Sequence, residues 1–302
     1  MRTILLATDF STRSDRALRR AVLLARQLGA ELLLVHVIDP DRPARLVEAE
    51  RREAHALLAE LADTLCGSDR IGCRFELRTG EPFEGVLAAA ADAGAELIVL
   101  GPPRRQLLRG VLTGTTAERV IRAGALPVLV ANGVPAAPYR RVLLATDLSQ
   151  GARAAAEATI RLGLDRLGTL AAVHVYPTAT PTLLLRTPVT ASEALPLRAR
   201  EQREAAAGLA RFLADAGLAR ARRLVLAGER PIADLLLDVA TRLRADLLVL
   251  ATRGKKGLGK LLLGSVADEL LRSAELDLLA VPPGGEPIEP EAGTSPPGGS
   301  AA

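Results

Sequence analysis

Short, unbroken apolar runs alternate along this chain with longer segments whose apolar residues recur every three or four positions. A short run with no polar alternation predicts a strand buried on both faces, and the longer spacing predicts an amphipathic helix. Thr3–Thr8 is the first such strand. A helix follows, marked by Leu18, Ala21, Val22, Ala25 and Leu28, with Ser11 or Ser14 as its cap and Gly29 as its stop. The pattern continues as strand Glu31–Ile38, helix Glu48–Leu65, strand Arg74–Arg78, a helix over Phe83–Ala93 ending at Gly94, strand Glu96–Leu100, helix Thr115–Ala123 and strand Pro127–Ala131. Strands recur near Arg141–Thr146, Gly168–Val175, Arg222–Leu226, Asp246–Leu250 and Asp277–Val281. Strand–helix alternation implies parallel strands, right-handed crossovers and an α/β fold with three layers, α/β/α.

The chain repeats itself. Ile4–Ser11 (ILLATDFS) returns as Val142–Ser149 (VLLATDLS), and Val35–Asp39 (VHVID) as Val173–Pro177 (VHVYP), both 138 positions on. Ala95–Gly101 (AELIVLG) returns as Ala245–Ala251 (ADLLVLA), and Gly114-Thr115 as Gly264-Ser265, both 150 positions on. The second copy therefore carries extra residues in its middle, placed by composition in the Pro/Thr-rich stretch after Val175. Two tandem open five-stranded parallel sheets are expected: one domain over 1–131, a linker over 132–139, and a second domain over 140–283. Residues 284–302 are Pro/Gly-rich and nearly free of apolar residues, so a disordered tail is expected there.

Composition narrows the function classes. No apolar run approaches the roughly 18–20 residues that span a bilayer, and the N-terminal run is too short for a secretory signal, so a cytoplasmic protein is expected. The net charge of +4 does not point to nucleic acid: arginine is spread along the chain and aromatics make up only 2%. Cys66 and Cys73 match no metal knuckle and read as free thiols. All three lysines, Lys255, Lys256 and Lys260, fall in one glycine-containing loop, where flexible positive charge suits an anion.

That loop fits a P-loop frame from Gly254 to Gly259-Lys260, but Leu261 stands where a P-loop needs Ser or Thr. Gly254 and Gly264 are the more telling pair. Gly264-Ser265 opens a helix whose unpaired amides and dipole favour a phosphate. Ligands of open α/β sheets sit beyond the carboxyl ends of the strands. In the second copy, Thr146-Asp147, His174-Val175 and Ala251–Ser265 meet there, with the Asp147 carboxylate able to accept from an adenine amine or a ribose hydroxyl. Asp9 and Asp147 can also be read as helix caps. His36 and His174 read as structural histidines, His55 as solvated, and Arg198–Arg203 as an exposed helix face.

With these motifs in place, both halves resemble the universal stress protein family, which has a T-D-x-S turn after strand one, an H-V pair ending strand two, and a G-x2-G-x9-G-[S/T] loop after strand four. The resemblance covers the chain up to Pro282. It implies a Rossmann-like, adenine-nucleotide-binding fold with ATP, ADP or AMP as ligand. Asp147 and the backbone of Val175 would hold the adenine end, residues near Ala251 would line the ribose, and Gly254, Lys255, Gly264, Ser265 and Val266 would surround the phosphates, with Thr146 and Arg253 also among the nucleotide-binding residues. The first-half counterparts are Asp9, Val37, Gly101, Gly114 and Thr115. There Arg104 replaces a loop glycine, and Pro102 and Pro103 remove two backbone donors, so nucleotide is expected mainly in the C-terminal half. Mg²⁺ is compatible with the phosphates, but no carboxylate is obviously placed to hold it. The resemblance also implies an intramolecular pseudo-dimer through the fifth strands and leaves homodimerisation open.

Two other classes compete with a regulatory nucleotide binder. An enzyme of related architecture would carry S-G-G-x-D-S or G-x-G-x-x-G after strand one; here the sequence reads A-T-D-F-S and A-T-D-L-S. Slow ATP hydrolysis or autophosphorylation stays open, as does a scaffold that binds no nucleotide.

Overall fold

The computed structural model describes residues 2–103, 115–178, 191–253 and 263–283. The first half contains strands β1 (Thr3–Ala7), β2 (Glu31–Ile38), β3 (Cys73–Thr79), β4 (Leu97–Leu100) and β5 (Val128–Val130). Its helices are α1 (Thr12–Leu28), α2 (Ala44–Gly67), α3 (Pro82–Asp92) and α4 (Thr116–Ala123). The second half contains β6 (Arg141–Thr146), β7 (Thr169–Tyr176), β8 (Arg222–Ala227), β9 (Leu247–Ala251) and β10 (Asp277–Val281), with α5 (Gln150–Arg161), α6 (Ala191–Asp215), α7 (Ile232–Arg242) and α8 (Ser265–Ser273). The expected tail, and most of the expected insertion after Val175, lie outside the described residues.

Each half is a parallel five-stranded unit, but the two do not stay separate. They form one mixed ten-stranded sheet in the order β3-β2-β1-β4-β5-β10-β9-β6-β7-β8. The join is antiparallel, pairing Leu278 with Val130, Leu279 with Leu129, and Ala280 with Val128. Leu129 and Leu279 are equivalent residues of the repeat, so the two copies meet in symmetric register. The physical reason lies in β5 and β10 themselves: both are buried and, apart from Asp277 at the start of β10, apolar, and either would leave an open hydrophobic edge if it ended its sheet.

Side chains alternate between two continuous cores. Ile4, Leu6, Leu32 and Leu34 pack with α1, α2, α5 and α6 on one face; Leu5, Leu33, Val35 and Ile98 pack with α3, α4, α7 and α8 on the other. Gly29 closes α1 in the left-handed conformation at φ 60°, which an L side chain rarely adopts.

A buried polar cluster sits at the join. Arg20 on α1, 4% exposed, pairs through Nε with Asp277 Oδ2 at 2.7 Å, and its guanidinium lies 4.1 Å over the Tyr139 ring. Tyr139 OH donates to the same carboxylate at 2.5 Å and the Gly133 amide donates to Oδ1 at 2.7 Å. The segment expected to be a plain linker therefore supplies two partners of a buried aspartate.

Candidate functional site

The T-D-x-S turn has the same construction in both halves. Thr8 Oγ1 accepts from the Phe10 amide at 3.0 Å and Thr146 Oγ1 from the Leu148 amide at 3.0 Å. Asp9 Oδ1 accepts from the Ser11 amide at 3.1 Å and Asp147 Oδ1 from the Ser149 amide at 3.0 Å. Phe10 and Leu148 sit between them at φ 54° and φ 62°, in the left-handed region. That conformation costs about 1–2 kcal/mol without glycine, and the paired side-chain bonds offset it. The helix N-caps are Ser11 and Ser149, so the two aspartates brace the turn rather than cap the helix. Burial opposes ionisation of Asp9, yet its bonds from Ser11, with Arg13 nearby, hold the carboxyl below its ordinary value.

The ends of β2 and β7 present backbone to the same space. Thr8 N donates to the Val35 carbonyl at 2.9 Å, whereas Gly80 N donates to the Ile38 carbonyl at 3.0 Å on the opposite side. Alternation along the strand then turns the N–H and C=O of Val37 toward the side that β1 vacates after Ala7. Val175 is its counterpart at the end of β7, where the ladder runs one residue further and pairs Thr146 with His174. The adjacent histidines are oriented alike: Nδ1 of His36 donates to the Thr8 carbonyl and Nδ1 of His174 to the Thr146 carbonyl, both at 2.8 Å. His55 is exposed and meets the edge of Phe75, and Arg198, Arg200 and Arg203 are exposed on α6.

In the N-terminal half these pieces enclose a cavity of about 660 Å³, lined by Asp9, Val37, Gly101 and Thr115 as predicted, and also by Arg13, His36, Arg42 and Glu50. Glycine at 101 is required by packing: a Cβ there would lie 2.9 Å from the Arg13 carbonyl oxygen. In the C-terminal half the glycine has moved to the helix. Gly151 on α5 approaches the loop after β9, where a Cβ would lie 2.5 Å from the Arg253 carbonyl oxygen. Gly85 likewise lets α3 pack on Val37, since its Cβ would lie 2.8 Å from both methyls.

The helix starts facing the two crevices differ. Thr115 and Glu118 form a capping box on α4: Thr115 Oγ1 accepts from the Glu118 amide at 3.3 Å and Glu118 Oε2 accepts from the Thr115 amide at 3.0 Å. Helix α8 begins at Gly264, and among the described residues no side chain caps it. The residue matching Glu118 is Asp268, one methylene shorter and turned to Arg272 at 2.8 Å and Arg122 at 3.5 Å. Ser265 and Val266 thus keep their amides clear of any capping carboxylate. Gly254, Lys255 and Gly114, expected at the phosphates, lie outside the described residues.

Turn, strand end and helix start converge at the carboxyl ends of the strands, where open α/β sheets carry their ligands. The family profile described as "Universal stress protein family" matches residues 1–132 and 138–282, and the chain belongs to that family. Universal stress protein Rv2005c of Mycobacterium tuberculosis is 26% identical over 299 residues, covering 91% of this chain and 95% of its own. A universal stress protein of Thermus aquaticus is 32% identical over 141 residues, covering 43% of this chain and 97% of its own. The crystal structure of a universal stress protein from Archaeoglobus fulgidus superposes with a TM-score of 0.67 at 18% identity, over 93% of this chain and 98% of that one. Among the described residues no helix is long and apolar enough to cross a membrane.

Proposed function

We propose that the protein binds an adenine nucleotide, ATP or its di- or monophosphate, chiefly in its C-terminal half, and that the nucleotide acts as an effector rather than a substrate. The carrying observation is the contrast in helix starts. A phosphate seeks the unpaired amides of a helix N-terminus. At α4 two of those amides already bond to the Thr115–Glu118 box, whereas α8 starts on Gly264 with no such box. The adenine would rest on the backbone of Val175 beside Asp147. The ribose would lie by Thr146, Ala251 and Arg253. Gly254, Lys255, Gly264, Ser265 and Val266 would take the phosphates. The two halves, joined through β5 and β10, then act as an intramolecular pseudo-dimer with one nucleotide-competent half.

The test is to denature freshly purified protein and quantify released nucleotide by anion exchange. About one adenine nucleotide per chain is expected, lost in Gly264→Glu, which sets a carboxylate at the phosphate position, and kept in Gly114→Glu. No nucleotide, and no binding when ATP is added back, would sink the reading. Two per chain would move it to both halves. Incubation with labelled ATP separates effector from substrate: released phosphate or labelled protein at a catalytic rate would favour the enzyme.

A further inference from the structure

A second cavity of the first half lies between α1 and α2, behind the T-D-x-S turn. It measures about 360 Å³, within the roughly 300–1,000 Å³ range of small-molecule pockets. Leu6 on β1 and Leu34 on β2 form its floor, and Phe10, Leu18, Leu57 and Leu61 form its walls. The walls reach solvent: Leu57 is 38% exposed, and the other three are only partly buried. This space is distinct from the crevice at the strand ends. Thr8 and Ser14 line both, and the bond from Thr8 Oγ1 to Ser14 Oγ at 3.1 Å belongs to the wall they share.

The side-chain polar groups around this cavity accept but have no proton left to give. Thr8 donates to Ser14, Ser14 donates to the Ser11 carbonyl at 2.8 Å, and Thr64 donates to the Glu60 carbonyl at 2.8 Å. What remains are the carboxylates of Asp15 on α1 and Glu60 on α2, both exposed. Neither has an ion-pair partner among the described residues. An anion would find like charge and no donor here. An apolar body with one cationic head would find a wall for the first and carboxylates for the second.

The repeat supplies an internal comparison. The buried stripe Ala54, Leu58, Ala62 and Leu65 of α2 aligns with Ala205, Leu209, Leu213 and Ala216 of α6, 151 positions on. On that alignment Leu57 is matched by Gly208, and Leu148, the counterpart of Phe10, closes over it: a Cβ on Gly208 would lie 3.3 Å from Leu148 Cδ1. Leu18 is matched by Ala156, and Asp15 and Glu60 by Arg153 and Arg211. The apolar wall and the negative rim thus occur together in one half and are replaced together in the other.

We propose that the cavity between α1 and α2 binds a primary amine with an apolar body. Asp15 and Glu60 hold the ammonium, and Phe10, Leu18, Leu57 and Leu61 receive the body. Thr8 and Phe10 belong to the turn that borders the crevice, so an amine here contacts that turn.

The test is calorimetric titration of the full chain, at low ionic strength, with octylamine, octanol and octanoate, which share an alkyl chain and differ in head charge. One octylamine per chain is expected, bound about tenfold more tightly than octanol, with octanoate weaker than both. The preference should shrink as salt is added. Asp15→Asn combined with Glu60→Gln should bring octylamine down to the octanol affinity and leave octanol unchanged. Leu61→Phe, the exchange seen at the equivalent Phe212, should weaken octylamine and octanol together. Octanol bound by wild type as tightly as octylamine would overturn the proposal, as would unchanged octylamine affinity in the Asn/Gln variant. No octylamine bound, or several per chain, would overturn it too. Octylamine lost in Gly264→Glu but kept in the Asn/Gln variant would place the amine in the C-terminal crevice and sink the assignment.

Discussion

Single side chains set what each crevice can hold, and the least conspicuous of them are glycines. Gly151 sits in the first turn of α5, where alanine would ordinarily be favoured by up to about 1 kcal/mol. Its Cβ, however, would lie 2.5 Å from the Arg253 backbone, and overpacking of that kind costs about 1–3 kcal/mol. The clash wins, so Gly151→Ala should lower the melting temperature and weaken nucleotide binding together; an unchanged or raised melting temperature would show that the loop yields freely. The two thiols divide in the same local way. Cys66 is exposed, whereas burial, with the neighbouring Cys66 charge, pushes the Cys73 thiol up to about 12. Iodoacetamide at pH 8 should modify one thiol per native chain and two after denaturation; two in the native state would contradict the burial of Cys73. Such properties were not legible beforehand because they depend on contacts between segments far apart in sequence. Gly151 reads as an ordinary helix residue until the loop after β9 is brought against it.

Elements were far more legible, since an apolar run or a 3.6-residue period belongs to its own segment. The strands at Glu31–Ile38, Arg141–Thr146 and Asp277–Val281 have the bounds their patterns predict. Helix α2 departs most, beginning at Ala44 rather than Glu48, with Pro43 at its N-cap and Leu46 of the added turn left exposed instead of facing the core. The capping box on α4 carries its own sequence signal, a Thr with Glu three residues later, yet its meaning for ligand binding emerges only when α4 and α8 are compared. That comparison yields a prediction with opposing effects. Glu118→Ala should cost about 1 kcal/mol of stability through the lost cap, and at the same time free the amide of Thr115, which lines the N-terminal cavity. AMP affinity at that cavity should rise relative to adenosine, read in the Gly264→Glu background. A fall in stability with no change in the AMP-to-adenosine ratio would show that the box does not guard against phosphate.

At the scale of the whole molecule, two symmetric copies are held by one unsymmetric lock. The repeat places Ala158 opposite Arg20 and Pro127 opposite Asp277, so the buried pair occurs once although the strand pairing is two-fold. The apolar pattern alone could not announce this, because an arginine in a helix and an aspartate opening a strand look like surface residues until β10 is laid beside β5. Removing one partner of a buried pair strands the other, at about 3–5 kcal/mol, whereas removing both can be nearly neutral. Arg20→Leu and Asp277→Leu should therefore each destabilise strongly, with a double variant far less destabilised than their sum; simple additivity would mean the pair is not coupled. Tyr139 extends the argument to pH. Burial, with the Asp277 charge beside it, raises its hydroxyl well above the ordinary tyrosine value of 10.0. The folded chain thus keeps this proton at pH values where the unfolded chain releases it. With more protons bound in the native state, stability must fall as pH rises beyond about 10, by about 1.4 kcal/mol per pH unit for this one group. Tyr139→Phe has no proton to lose, so its stability should start lower, for want of the bond to Asp277, and decline less steeply between pH 10 and 11. Denaturant titrations of both proteins across that range would decide it: parallel declines would mean that Tyr139 reaches solvent and ionises in the folded state.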